Sequence, residues 1–172
     1  MNRILQQLKE IPISLETIRD YCPEDVGVVM YDHIQSSSKA NFFKGKRAMI
    51  VFYEMHENNT VVEGIGHFSL IINKKIPYYW SSYGFKPEFE INKTKSEPGK
   101  LLKILGKHNY NKVRYQKIRH TNTCGLHCLS RSYLLDYGEE EYKRMLTNRL
   151  VLSSPDLIVC LMCLILVRKE LQ

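Results

Sequence analysis

Two short apolar runs, Ala48–Tyr53 and His67–Ile72, constrain this chain more than any other feature of its sequence. Both are rich in the β-branched and aromatic side chains that suit a pleated, buried surface. Asn58-Asn59 supplies a turn between them. Lys74-Lys75 and then Tyr78-Tyr79-Trp80 follow as a polar break and a further strand. The pattern predicts a meander of three strands, with His67 at the start of the middle one.

Around this meander the spacing predicts helices. Residues 1–9 and about 14–21 have short amphipathic character, the second beginning at Ser14. Leu101–Leu105 begins a short helix, Val113–Ile118 reads as a strand, and Glu139–Asn148 reads as a helix after Gly138. Ser154-Pro155-Asp156 is a helix start: Ser as N-cap, Pro at the first position and Asp near the positive end of the dipole. The run Leu157–Val167 that follows is eleven residues, well short of the roughly twenty that span a bilayer, so a buried C-terminal helix is expected and no membrane partner. Ser36-Ser37-Ser38 and Lys93–Gly99 are expected as polar loops that shape a cleft.

The chemistry concentrates in Thr123-Cys124-Gly125-Leu126-His127-Cys128. Leu126, Leu129, Leu134 and Leu135 recur at roughly helical spacing after Cys124, and Thr121, Asn122 and Thr123 ahead of it are candidate caps. A cysteine at a helix N-terminus beside an imidazolium has a stabilised thiolate and is a strong nucleophile. Gly125 would let a substrate backbone pass close to the sulfur, and the amides of the turn could face an oxyanion. Cys124 can equally be a small buried hydrophobe. Cys124, His127 and Cys128 also offer three metal ligands in five residues. Structural zinc needs four, and Cys22, Cys160 and Cys163 supply no matching loop pair, so no metal is expected. His67, on an apolar strand, is the best-placed base, with His33, His56, His108, His120 and His127 in more polar or loop-like surroundings.

Four segments together carry a family resemblance: Gly66-His67-Phe68-Ser69-Leu70-Ile71, Tyr79-Trp80-Ser81-Ser82-Tyr83-Gly84-Phe85, Tyr110-Asn111 through Tyr115-Gln116, and Thr123-Cys124-Gly125-Leu126-His127. In this order they resemble the adenain-type cysteine proteases, the adenovirus maturation protease and its relatives in virophages, Polinton transposons and large DNA viruses of eukaryotes. The resemblance implies one α+β cysteine protease domain over residues 1–172, of the fold shared with SUMO proteases: a small mixed or antiparallel sheet packed by helices, with the nucleophile at a helix N-terminus. It makes Cys124 the nucleophile, His67 the general base, and Gln116 a side-chain donor to the oxyanion. It also implies a viral maturation endopeptidase that cleaves capsid or other structural precursors, in the virion and the infected cell.

The departure is at the third catalytic position. The family carries an acidic or amide residue just before Tyr-Gly or Phe-Gly, where this chain has Ser81-Ser82-Tyr83-Gly84. Ser81 is expected to accept from the imidazole in its place; a neutral acceptor can serve where thiolate and imidazolium already pair. Inactivation, or an acid supplied from elsewhere, are the alternatives, and Glu88 and Glu90 are close in sequence. Inactivation would leave a nucleic-acid or capsid-binding module. A ubiquitin-like-protein deconjugating protease ranks lower, since that group's tryptophan after the histidine is Phe68 here.

Composition bears on partners. The chain has 172 residues, a formal net charge of +7 and 44% hydrophobic residues, in keeping with one domain and a proper core. Between residues 93 and 119 nine Lys or Arg face one acid, Glu97. Such a stretch can neutralise phosphates without reading sequence, or form a solvated basic face. By resemblance, DNA is a candidate partner and activator, and no cofactor is required by the sequence. Five cysteines and no apolar leader core suggest free thiols in a reducing compartment, not a secreted protein.

Overall fold

Both faces of the central strands are apolar, and this decides the layering. β2 (Ala48–Glu57) and β3 (Thr60–Ile72) pair antiparallel, with Ile50 opposite Leu70 and Phe52 opposite Phe68. Along β2, Ala48, Ile50 and Phe52 enter one buried cluster while Met49, Val51 and Tyr53 enter another. A strand covered on both faces reads as an unbroken apolar run, which is the pattern of Ala48–Tyr53.

The computed structural model describes residues 12–35, 38–58, 60–116, 122–147 and 154–170. Its mixed sheet has five strands in the order β1-β2-β3-β4-β5. β1 (Val26–Met30) runs parallel to β2, β4 (Tyr78–Trp80) antiparallel to β3, and β5 (Asn109–Tyr110) parallel to β4. One face is covered by α1 (Leu15–Tyr21), α5 (Cys124–Tyr133), α6 (Glu139–Leu146) and α7 (Pro155–Glu170). The other is covered by a 3₁₀ turn (Tyr31–His33), α2 (Lys39–Phe43), α3 (Pro87–Thr94) and α4 (Lys100–Leu105). The architecture is therefore α+β, with a mixed sheet between helical layers.

Helix starts fall where capping chemistry predicts them. Ser14 Oγ accepts from Thr17 N–H at 3.1 Å and Ser154 Oγ from Leu157 N–H at 3.4 Å. Glu141 reaches back to accept from Gly138 N–H at 3.0 Å. In α7, Leu157 to Cys160 and Cys163 are buried while Leu164 and Ile165 are exposed. Among the described residues no helix is long and apolar enough to cross a membrane.

Several expectations need correction. The three-stranded meander is present, but β3 begins at Thr60, so His67 lies inside it. A register shift next to Glu54 interrupts the side-chain alternation there and hides the first part of the strand from a pattern of period two. β1 was not anticipated. Lys93 and Thr94 belong to α3, with Thr94 buried, so the expected loop at 93–99 starts only at Lys95. Residues 113–116 form no strand. Asn111 takes the role of a pairing strand instead: its side chain accepts from Ser81 N–H at 2.8 Å and donates to Ser81 O at 2.8 Å and Val113 O at 3.0 Å. The expected helix at residues 1–9, together with Ser36, Ser37, Asn59, residues 117–118, His120, Thr121 and Asn148, lies outside the described residues.

Asn111 is 2% exposed, so Asn111→Ala takes the partner from the buried Ser81 N–H and one donor from the Val113 carbonyl. It is expected to cost about 2–3 kcal/mol, read as a lower denaturation midpoint with an unchanged slope.

Candidate active site

The residue before His67 fixes how closely two strands approach. A Cβ on Gly66 would lie 2.1 Å from Tyr53 O and 2.7 Å from the Phe52 ring, so only glycine fits. The register shift of β3 against β2 lies next to this pair, and bulges of this kind re-aim the side chains beside them. Alternation then sends Phe68, Leu70 and Ile72 to the α5 face and His67 to the opposite face, where α3 packs.

On that face His67 meets a carboxylate. Its Nδ1 lies 3.2 Å from Glu90 Oε1, and Glu90 is fully buried. The contact is at ion-pair distance without hydrogen-bond geometry, and neither Glu90 oxygen has a hydrogen-bond partner among the described residues. A buried carboxylate without hydrogen bonds is costly, so the imidazole is the group that makes it tolerable there. The Tyr83 ring packs on the other side of His67, with centroids 5.2 Å apart.

Ser81 does not stand in for this acid. It is fully buried, its Oγ accepts from Tyr83 N–H at 3.3 Å, and its carbonyl accepts from Gly84 N–H at 2.9 Å. Ser81 thus closes the turn that delivers Tyr83 to His67. Gly84 has φ +69°, and a Cβ there would be 2.9 Å from Val113 O, which explains Tyr-Gly at this point. The signal for Glu90 lay in the spacing of α3. Pro87, Glu90, Ile91 and Thr94 are its buried residues, a helical i, i+3, i+4, i+7 stripe with one charged member.

Cys124 opens α5, the expected position for a nucleophile. It lines a cavity of about 590 Å³ together with His67, Phe68, Tyr83 and Gly125. On β3, the residues that pair with β4 are Leu70–Ile72, so among the described residues β3 has no neighbour strand on that edge at Phe68. Burial pushes the Cys124 thiol up to about 11, against the N–H groups of Phe68, Gly125 and Cys124, which favour the thiolate; Glu90 adds to the rise. No hydrogen bond joins the Cys124 sulfur to His67 among the described residues. Such contacts are often long without substrate and tighten when it binds.

Gly125 is not an open lane for substrate. A Cβ there would lie 2.2 Å from Ile13 Cγ2 and 3.2 Å from the Phe68 ring. The segment ahead of α1 therefore packs on the Cys124–Gly125 turn, and Pro12 to Glu16 form one wall of the cavity. Thr123 is the N-cap of α5 but makes no side-chain cap; its hydroxyl donates to Asp156.

Gln116 is fully buried, and its Oε1 accepts from Ser82 Oγ at 2.8 Å. It does not line the cavity. His127, expected in polar surroundings, is instead fully buried with Nε2 3.2 Å from Asp156 Oδ1. His56 pairs with Asp32 at 3.0 Å. All five cysteines are free thiols. Three cations of the basic stretch stand over aromatic faces: Lys93 lies 5.2 Å from the Tyr83 centroid, Arg114 5.9 Å from Phe85, and Lys112 5.9 Å from Tyr110. Lys117 and Arg119 are outside the described residues.

Compared with models of known protein families the chain matches none, and no curated protein matches its sequence.

Gly125→Ala forces Ile13 and the Phe68 ring apart in a packed site. A loss of about 1–3 kcal/mol is expected, and Ile13→Ala in the same chain should recover part of it, as measured by thermal unfolding.

Proposed function

We propose that this chain is a cysteine endopeptidase with Cys124 as nucleophile, His67 as base and Glu90 as the acid that orients His67. The observation that carries the reading is the buried Glu90 carboxylate 3.2 Å from His67 Nδ1, on the wall of the cavity that Cys124 lines. A carboxylate on Nδ1 holds the proton there and leaves Nε2 as the base. Nε2 takes the proton of the Cys124 thiol, and the sulfur adds to the scissile carbonyl carbon. The amides at the start of α5 donate to the oxyanion. His67 returns the proton to the leaving amine, and water, deprotonated by His67, releases the acyl group from the thioester.

Gln116 stands outside this scheme: it is fully buried, does not line the cavity, and its Oε1 accepts from Ser82. The resemblance of the four sequence segments to adenain-type proteases supports a maturation enzyme acting on capsid or other structural precursors, with an adenain-like fold. A thiol held up to about 11 in the absence of a cation explains why the imidazole is needed for reactivity at neutral pH.

Incubation with the structural proteins encoded by the same genome, followed by mass spectrometry, tests the proposal. Discrete cleavage that disappears in Cys124→Ala is expected. Glu90→Gln should lower kcat by about 10²-fold or more, while Ser81→Ala should lower it by less than about ten-fold. In His67→Ala, alkylation of Cys124 should keep rising with pH toward about 11, where the wild type levels off lower. Equal kcat for Glu90→Gln and the wild type would remove Glu90 from the mechanism.

A second reading, polyanion binding, is favoured by the cations arrayed over Tyr83, Phe85 and Tyr110, with Lys93 also on the cavity wall. It allows DNA to act as partner or activator. Duplex DNA affinity should fall steeply with salt, and Lys93→Ala with Arg114→Ala should flatten the log–log slope by about two; a salt-independent affinity would count against it.

A further inference from the structure

We infer that Asp156 is a positioning residue for the nucleophile, acting through Thr123 and His127; this rests on the protease reading above. Three polar side chains meet where α5 and α7 begin, and all are buried: Thr123 and His127 are 0% exposed and Asp156 2%. One carboxylate oxygen, Oδ1, accepts from the Thr123 hydroxyl and faces His127 Nε2 at 3.2 Å. Thr123 immediately precedes Cys124, and His127 is three residues beyond it. His127 N–H donates to Thr123 O at 2.8 Å, which closes the first turn of α5 between the two residues that Asp156 grips.

The use of Thr123 is the telling detail. A threonine at an N-cap ordinarily satisfies a free amide of its own helix, worth about 1 kcal/mol. Here that bond is not made, and the hydroxyl ties α5 to the first turn of α7 instead. Two of the three amides that face the sulfur, those of Cys124 and Gly125, are thereby fixed by a side chain from another helix. Asp156 is itself favoured at the positive end of α7. The His127 ring packs beside the stacked Trp80–Tyr115 pair, with centroids 6.4 and 6.5 Å away, so it cannot swing to another partner without disturbing the core. Its Nδ1 has no partner among the described residues, which leaves Asp156 as the polar anchor of the ring. For stability alone, apolar residues of this size would serve as well. What the polar cluster adds is direction, and a shift of about 1 Å in a catalytic group can cost about 10²-fold in rate.

The test uses the full chain and the rate of Cys124 alkylation by iodoacetamide against pH, located by mass spectrometry, with circular dichroism for folding. Thr123→Val keeps the shape and removes the hydroxyl. It should slow alkylation at neutral pH by about ten-fold or more and move the pH midpoint, while Thr123→Ser stays within about three-fold of the wild type. If Thr123→Val does not fold, Asp156→Asn keeps the volume and weakens the hold on both partners, with slower alkylation again expected. A folded Thr123→Val or Asp156→Asn with the wild-type rate and pH midpoint overturns the inference, as does lower stability with an unmoved profile. A wild-type Cys124 that reacts no faster than in the urea-unfolded chain defeats the protease reading and this inference with it. A fast wild type matched by Thr123→Val defeats the inference alone.

Discussion

A carboxylate with no access to water organises the candidate site. Glu90 is fully buried and its nearest polar neighbour is His67 Nδ1. Charge in such a place is tolerated only beside a group that can share a proton or carry the opposite charge, so α3 and β3 are held in one relative position. Much of the surrounding structure serves that placement. The Ser81–Gly84 turn carries the chain from β4 toward α3 and lays Tyr83 on the imidazole, and Asn111 braces the turn through Ser81.

The candidate nucleophile comes from the other side of the sheet. Cys124 and Phe68 belong to the core under α5 and α7, while Glu90 sits under the opposite layer. The two halves meet at the edge of β3 that β4 leaves unpaired, where the Phe68 amide serves the sulfur. An edge position gives a strand residue one face toward a buried acid and leaves its rim open to a cavity. Ile13 and the Asp156 cluster then fix the start of α5 from two further directions.

Local signals were legible wherever the physics is local. Ser14 and Ser154 announced helix starts because a hydroxyl three residues ahead of a free amide is sufficient to cap it. The runs at Ala48 and His67 announced strands because both faces of the sheet are covered. Cys124 was legible as a helix-opening cysteine, and His67 as a histidine among apolar neighbours. The strand expected at Val113 was wrong because one side chain, Asn111, supplies the pairing that a ladder would have made. His127 was misjudged because its partner lies 29 residues away on another helix.

The sequence by itself determined the central β2–β3 pair, the capped helix starts, the α+β class and the identity of the candidate nucleophile and base, since these follow from apolar patterning, capping and residue chemistry. Only the tertiary structure decided which acid faces His67. Ser81 stands directly before Ser82-Tyr83-Gly84, yet its hydroxyl is turned to its own backbone, while Glu90 is carried inward by the buried stripe of α3. The pairing depends on how a helix packs across a strand, and that distance is set by the whole core, not by spacing along the chain.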